Sequence, residues 1–247
     1  MVASIANQIK AALKPCLCLD YDGTLVPFVL NPEEAVPSLS LKALLAELVN
    51  DRKLNVAIIS GRPKCTLEKW FDEVPVTLVA EHGALIKEYG RPWAVQIQNS
   101  IEWKDHILQL LSKTEIEYPG SFVEEKDYCV AWHYRGLDLK ESLIASKQVV
   151  KKIKPYTRKM GLQIISGDKV VEVRSKQTNK GEAVKKLLNR DHYDLLVAVG
   201  DDVTDEDMFT ATKEKSITIK VGDGITMAKY RLKSSIDVIE LLKTLLK

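Results

Sequence analysis

Two carboxylates stand where an apolar run stops: Cys16 to Leu19 is followed at once by Asp20, with Asp22 and Gly23 close behind. Ser60 follows a second apolar run, Asn55–Ile59, and Asp201 opens an acidic cluster after a third, Leu195–Val199 and Gly200. Lys180 sits at the start of a helical pattern. The chemistries are complementary. Carboxylates from Asp20 and Asp201 repel one another unless a cation lies between them, and hard oxygen ligands favour magnesium. The Ser60 hydroxyl and the Lys180 ammonium suit the oxygens of a phosphoryl group. Asp20 can then attack phosphorus as a covalent nucleophile, while Asp22 protonates the leaving oxygen and later deprotonates water. Each feature alone has an ordinary alternative. Asp, Gly and Ser are common turn residues, Lys180 could be a surface lysine, and the acids after Gly200 could simply open a helix. Those alternatives must all hold together, and the placement of Asp20 and Asp201 directly after apolar strands favours the chemical reading.

These residues need elements that carry them to one place. The runs ending at Asp20, at Ser60 and at Glu81 (strand Val76–Ala80) read as buried strands, separated by helical patterns. The first of those helices begins near Ser38 with Leu41, Leu44, Leu45, Leu48 and Val49 on one face, and the second carries Leu67, Trp70 and Phe71. Strand–helix alternation predicts an α/β, doubly wound parallel sheet, whose carboxyl ends open on one edge and gather ligands there. From about Asn99 the rhythm changes. A helix (Ile101 to Leu111), two extended segments (Ser121–Lys126, Tyr128–Tyr134), a helix (Leu139 to Arg158) and a hairpin around Gly167-Asp168 predict an α+β insert. Alternation returns with the helix Asn179–Asn189, the strands Leu195–Val199 and Ser216–Val221, and a last helix with Val238, Ile239, Leu241, Leu242, Leu245 and Leu246 at core spacing. The domains expected are core 1–98, insert 99–175 and core 176–247.

Composition excludes several function classes. The 247 residues are 45% hydrophobic and 28% charged, with a net charge of +2 and mixed signs, which leaves no footprint for nucleic acid or an anionic membrane. No apolar run approaches the length of a membrane span. The opening MVASIANQIKAALKP lacks both a basic start and a long apolar centre, which argues against a signal peptide. Four cysteines without a CxxC or His-rich pattern read as buried thiols acting as small apolar groups in a reduced, cytoplasmic protein, expected to be a monomer.

Asp20-Tyr21-Asp22-Gly23-Thr24, Ser60, Lys180 and Gly200-Asp201-Asp202 with Asp205, in that order, resemble the four motifs of the haloacid dehalogenase-like (HAD) phosphatases. The resemblance implies a Rossmann-like core, an inserted α+β cap, and an Mg2+ ion held by Asp20, Asp201 and the backbone carbonyl of Asp22, with Asp202 and Asp205 orienting their neighbours. A narrower resemblance rests on Ser60-Gly61-Arg62, Glu81-His82-Gly83, Val123-Glu124-Glu125-Lys126, His133-Tyr134-Arg135, Glu172-Val173-Arg174, Asn179-Lys180-Gly181 and the run GDDVTDEDMF over Gly200–Phe209. Together these are similar to the trehalose-6-phosphate phosphatase family. That likeness implies a sugar-binding set of Arg62, Glu81, Glu124, Lys126, Arg135 and Glu172. Ser175 departs from it, where the family often has proline.

The reaction expected is magnesium-dependent hydrolysis of trehalose 6-phosphate, a small-molecule sugar phosphate, through an aspartyl-phosphate. The synthase segment that precedes the phosphatase in many relatives is not seen, so hydrolysis alone is expected. Alternatives are the same chemistry on sucrose phosphate or a glucosylglycerol phosphate, a phosphomutase, or a catalytically silent sugar-phosphate-binding protein. Intact Asp20, Asp22, Lys180 and Asp201 argue against the last, because binding needs no nucleophile. In the insert, Lys126, His133 and Arg135 could also be strand residues pairing with Glu124 or Glu125.

Overall fold

A computed structural model describes residues 1–29, 32–97, 100–167, 169–211 and 216–247. The chain divides into two compact units, Met1–Gln96 with Asn179–Lys247, and Ile97–Thr178. Gln98 and Asn99, where the first boundary was expected, lie outside the described residues.

In the first unit, helix α1 (Val2–Ala11) leads to strand β1 (Pro15–Leu19), helix α2 (Leu39–Asn50), β2 (Asn55–Ile59), α3 (Lys64–Phe71), β3 (Thr77–Ala80), β4 (Leu85–Lys87) and β5 (Ala94–Val95). The second unit holds α4 (Trp103–Glu117), β6 (Phe122–Glu125), β7 (Cys129–His133), α5 (Leu139–Lys159), β8 (Leu162–Gly167) and β9 (Val170–Ser175). The chain then returns to the first unit with α6 (Lys180–Asp191), β10 (Leu195–Gly200), α7 (Glu206–Ala211), β11 (Ser216–Val221), β12 (Tyr230–Leu232) and α8 (Ser235–Leu246). No helix among the described residues is long and apolar enough to cross a membrane.

The first unit is an eight-stranded sheet in the order β12-β11-β10-β1-β2-β3-β4-β5. It is parallel from β12 to β3, as the alternation predicts, while β4 and β5 add an antiparallel edge that the sequence reading did not contain. Strand alternation divides the core. Cys16, Cys18, Ala57, Ile59, Leu196 and Ala198 meet Ala183, Val184 and Leu187 of α6 and Met208 and Phe209 of α7. Leu17 and Leu19, equally buried, turn to the other face, where α8 packs against α1 and α2. The N-terminus of α2 is capped by Ser38, whose Oγ accepts from Leu41 N at 3.2 Å. Of the cysteines expected to be buried, Cys16, Cys18 and Cys129 are; Cys65 is exposed. It lies on the outward side of α3, whose Leu67, Trp70 and Phe71 face the interior.

The second unit is an antiparallel sheet, β6-β7-β9-β8. One face packs Val130, Trp132, Val171 and Val173 against Ile107 and Leu111 of α4 and Ala145, Val149 and Ile153 of α5. Leu143 and Ile144, apolar like that stripe, point to solvent. In the β8–β9 hairpin, expected around Gly167-Asp168, Gly167 pairs with Val170. Asp168 itself lies outside the described residues.

Candidate active site

Strands β10, β1, β2 and β3 are parallel neighbours, so the residues just past their ends share one edge. Asp201, Asp20, Ser60 and Glu81 are those residues. Register fixes them: Asp20 N donates to Val199 O and Ser60 N to Val79 O, each at 2.9 Å. Lys180 arrives from the first turn of α6, where Asn179 caps the helix by accepting from Glu182 N at 2.8 Å. Its Nζ bridges Asp20 Oδ1 at 2.6 Å and Asp205 Oδ1 at 2.7 Å, with all three residues buried. The cation that a helix N-terminus disfavours is held there by two carboxylates.

The acidic segment after Gly200 divides: Glu206 and Asp207 open α7, while the residues before them wind into a tight turn. Asp202 caps a single 3-10 turn, Val203–Asp205, in a reciprocal capping box with Asp205. The turn folds Asp205 back, so that its Oδ2 accepts from both Asp201 N and Asp202 N at 2.9 Å. A Cβ on Gly200 would collide with the Asp205 side chain. Thr24 Oγ1 donates to Asp201 Oδ1 at 3.1 Å, and Lys220 Nζ donates to Asp201 O. Gly23 has φ +82°, and a Cβ there would strike the Asp201 carboxylate, so this turn requires glycine.

Asp20, Asp201 and Asp205 each offer a carboxylate oxygen, and the three lie within 4.8 Å of one another. Burial, with Asp205 beside it, pushes the Asp20 carboxyl well above its ordinary value against the pull of Lys180. Asp201 is pushed up to about 6 by burial and Asp205. Burial opposes the charge on Lys180, yet Asp20 and Asp205 outweigh it and hold the ammonium well above its usual range. Three hard anionic ligands against one ammonium leave an excess of about two negative charges when all are ionised. That donor set fits a divalent, oxygen-seeking cation.

Asp22 and Arg62 face each other directly. Arg62 Nε donates to Asp22 Oδ2 at 2.8 Å and an NH2 group donates to Asp22 Oδ1 at 2.6 Å, a two-pronged pair. The guanidinium carbon lies 4.6 Å from the Trp70 ring centroid and 5.7 Å from that of Tyr21. Arg62, expected against the sugar, is therefore engaged by the proposed acid–base group. Ser60 Oγ is buried and accepts from Arg62 N at 3.1 Å. Glu81 is buried and, with His82, has positive φ (+47° and +56°), turning the chain sharply after β3.

In the second unit, Glu124, Lys126 and Glu172 come together on the sheet face opposite the helices. Lys126 Nζ is 3.5 Å from Glu172 Oε2 and 3.8 Å from Glu124 Oε2, and His133 Nε2 is 2.9 Å from the same Glu124 oxygen. Burial opposes ionisation of Glu124, but His133 and Lys126 outweigh it and draw its carboxyl below the ordinary value. Arg135 is half-buried just past β7.

Sequence reasoning missed two contributors: Thr24 and Lys220 hold Asp201. Asp205, expected to orient its neighbours, bonds Asp201 N, Asp202 N and Lys180 and lies within the carboxylate cluster. Thr24 could have been found from its place in the first motif. Lys220 carries a fainter signal, a lysine near the end of an otherwise apolar strand.

The trehalose-phosphatase family model matches residues 18–236. The chain is 39% identical to a bifunctional trehalose-6-phosphate synthase/phosphatase of Thermoproteus tenax, over 94% of this chain and 32% of that protein. It spans about a third of the length of the curated relatives it matches. Superposed on the C-terminal domain of the C. albicans trehalose-6-phosphate phosphatase it gives a TM-score of 0.92 at 30% identity, covering 99% of this chain and 96% of that one. A haloacid dehalogenase-like hydrolase from B. subtilis shares the fold, with a TM-score of 0.66 at 18% identity, over 92% of this chain and 98% of that one.

Proposed function

Because the chain belongs to the trehalose-phosphatase family, we propose that it hydrolyses trehalose 6-phosphate to trehalose and phosphate, with Asp20 as nucleophile and Mg2+ as cofactor. The observation that carries this is the Lys180 ammonium bonded between Asp20 and Asp205, with Asp201 beside them, at the carboxyl edge of the sheet. Burial and Asp205 push the Asp20 carboxyl up, and the Lys180 ammonium together with a bound divalent cation would offset them and leave the carboxylate ionised to attack. Asp20, Asp201 and the Asp22 carbonyl would hold magnesium, with Asp205 beside them, and the ion would supply positive charge against these carboxylates and the phosphoryl oxygens.

In the first half-reaction an oxygen of Asp20 bonds to phosphorus, and the bond from phosphorus to the sugar oxygen breaks. Asp22 gives that oxygen its proton. In the second half, water attacks phosphorus, Asp22 takes the water's proton, and the bond from Asp20 to phosphorus breaks. Lys180 and the Ser60 hydroxyl face the phosphoryl oxygens in both halves. The pairing of Asp22 with Arg62 suits the ionised, proton-accepting half. For the first half Asp22 must carry a proton, so Arg62 has to release it as substrate enters.

The unit 97–178 acts as a cap that selects the sugar. Glu124, Lys126 and Glu172 present two acceptors and a donor to its hydroxyls, with Arg135 beside β7 as a further donor. The test is phosphate release from a panel of sugar phosphates, with and without magnesium. The proposal expects trehalose 6-phosphate to be turned over fastest and only with the metal. Faster release from another sugar phosphate, transfer to a second sugar hydroxyl, or binding without turnover overturns it.

A further inference from the structure

Arg174 is used by nothing described so far, although it is among the largest fully buried side chains of the protein. It lies in β9, and none of Nε, NH1 and NH2 has a hydrogen-bond partner among the described residues. A buried guanidinium so placed is costly, and an apolar side chain of similar volume is the cheaper filling. Among the described residues its ion pair is to Glu172, NH1 to Oε1 at 3.7 Å, too long for a hydrogen bond. Alternation puts Arg174 on the same sheet face as Glu172, with Cys129 and Gln163 beside it in register. The Gln163 amide nitrogen donates to the carbonyls of Ser175 and Thr178, and its oxygen does not accept from Arg174, whose three nitrogens have no hydrogen-bond partner among the described residues. The face thus reads His133, Glu124, Lys126, Glu172, Arg174, with anion and cation alternating from Glu124 onward. Without Arg174, two carboxylates divide one ammonium.

We propose that Arg174 is a positioning residue for sugar recognition: its charge holds the Glu172 carboxylate in place, so that Glu172 and Lys126 meet the sugar as a preset pair. This rests on the reading of Glu172 as a sugar-binding group. The role needs a positive charge at this position, which Arg keeps when buried and which Lys keeps when an anion such as Glu172 lies beside it. The guanidinium makes no contact with the reacting atoms; its effect reaches the substrate through the Glu172 carboxylate.

The experiment compares kcat and KM for trehalose 6-phosphate and for para-nitrophenyl phosphate in Arg174→Met, Arg174→Lys, Glu172→Gln and the Arg174→Met/Glu172→Gln double variant of the full chain. Arg174→Met is expected to raise KM for trehalose 6-phosphate more than it lowers kcat. The ratio of the two kcat/KM values should fall roughly 10- to 100-fold, the size of a lost charged interaction. Arg174→Lys should recover most of that loss. In the Glu172→Gln background Arg174→Met should add less than about threefold, because nothing is left to position. Equal losses on both substrates, or losses that multiply in the double variant, overturn the proposal. If Arg174→Met does not fold, Arg174→Lys decides: a loss as large as that of Glu172→Gln overturns it. A Glu172→Gln variant with an unchanged ratio removes the premise and the proposal with it. A lowered ratio in Glu172→Gln beside an unchanged one in Arg174→Met overturns the Arg174 role alone.

Discussion

Replacing Lys180 by methionine removes the ammonium bonded to Asp20 and Asp205 while keeping the side chain's length and apolar stem. The two contacts, at 2.6 and 2.7 Å, join three buried residues. At an effective dielectric constant of about 20, each amounts to about 6 kcal/mol of bare attraction. Most of that is offset by taking the charges out of water. What a variant measures is the cost of stripping the partner from buried charges, about 3–5 kcal/mol. For a protein of this size that lowers Tm by roughly 6–20 °C. Scanning calorimetry without and with saturating magnesium reads it directly. The gap between wild type and variant should narrow with the metal, since a second cation then faces the same carboxylates. Phosphate release should fall by about 10²–10³-fold, as for a lost electrostatic donor at a reacting oxyanion. A Tm within about 2 °C of wild type, the smallest shift expected even of a 1 kcal/mol loss, refutes the reasoning, because a solvated surface lysine would behave so.

Asp20→Asn keeps the nucleophile's size and removes its charge; phosphate release should vanish while circular dichroism is unchanged, and near-normal turnover would refute the assignment. Asp201→Ala deletes a metal-facing carboxylate, so calorimetry should find magnesium bound at least about tenfold more weakly, the lower end of losses when metal-site groups are removed, and equal affinity would remove its ligand role. Glu124 has a carboxyl drawn below its ordinary 4.5, so its contribution is full above that value and is lost as pH falls through the lower folded one. Glu124→Gln should therefore cost about 1 kcal/mol at neutral pH, a gap in Tm that closes on acidification; a gap that widens would contradict the ion pairs drawn here.

The chemical residues were legible because each follows a buried strand, and in a parallel sheet that alone places them on one edge. That placed Asp20, Ser60 and Asp201; their roles rested on the set taken together. The strand order β10-β1-β2-β3, which makes those ends neighbours, came from crossovers that periodicity does not encode. Strands β4, β5 and β12 have two or three residues each, too short for an alternation to register. The turn that lets β4 double back depends on positive φ at Glu81 and His82, which residue type does not announce. Asp205 stands out only through the resemblance, and its bond to Lys180 depends on a 3-10 turn that the residue types alone do not reveal. Arg62 and Asp22 are 40 residues apart, and their pairing is a property of the folded edge alone. In the second unit, alternation told Val171 and Val173 from Glu172 and Arg174. It could not tell that the polar face holds a buried arginine.

The central claim is that Asp20 takes the phosphoryl group. Rapid acid quenching of the protein during turnover of trehalose 6-phosphate with magnesium, followed by peptide mapping, tests it most directly. The account predicts a phosphoryl group on the peptide that contains Asp20, and none in Asp20→Asn. A phosphoryl group trapped on another residue, or an Asp20→Asn variant that still releases phosphate at the wild-type rate, would contradict it.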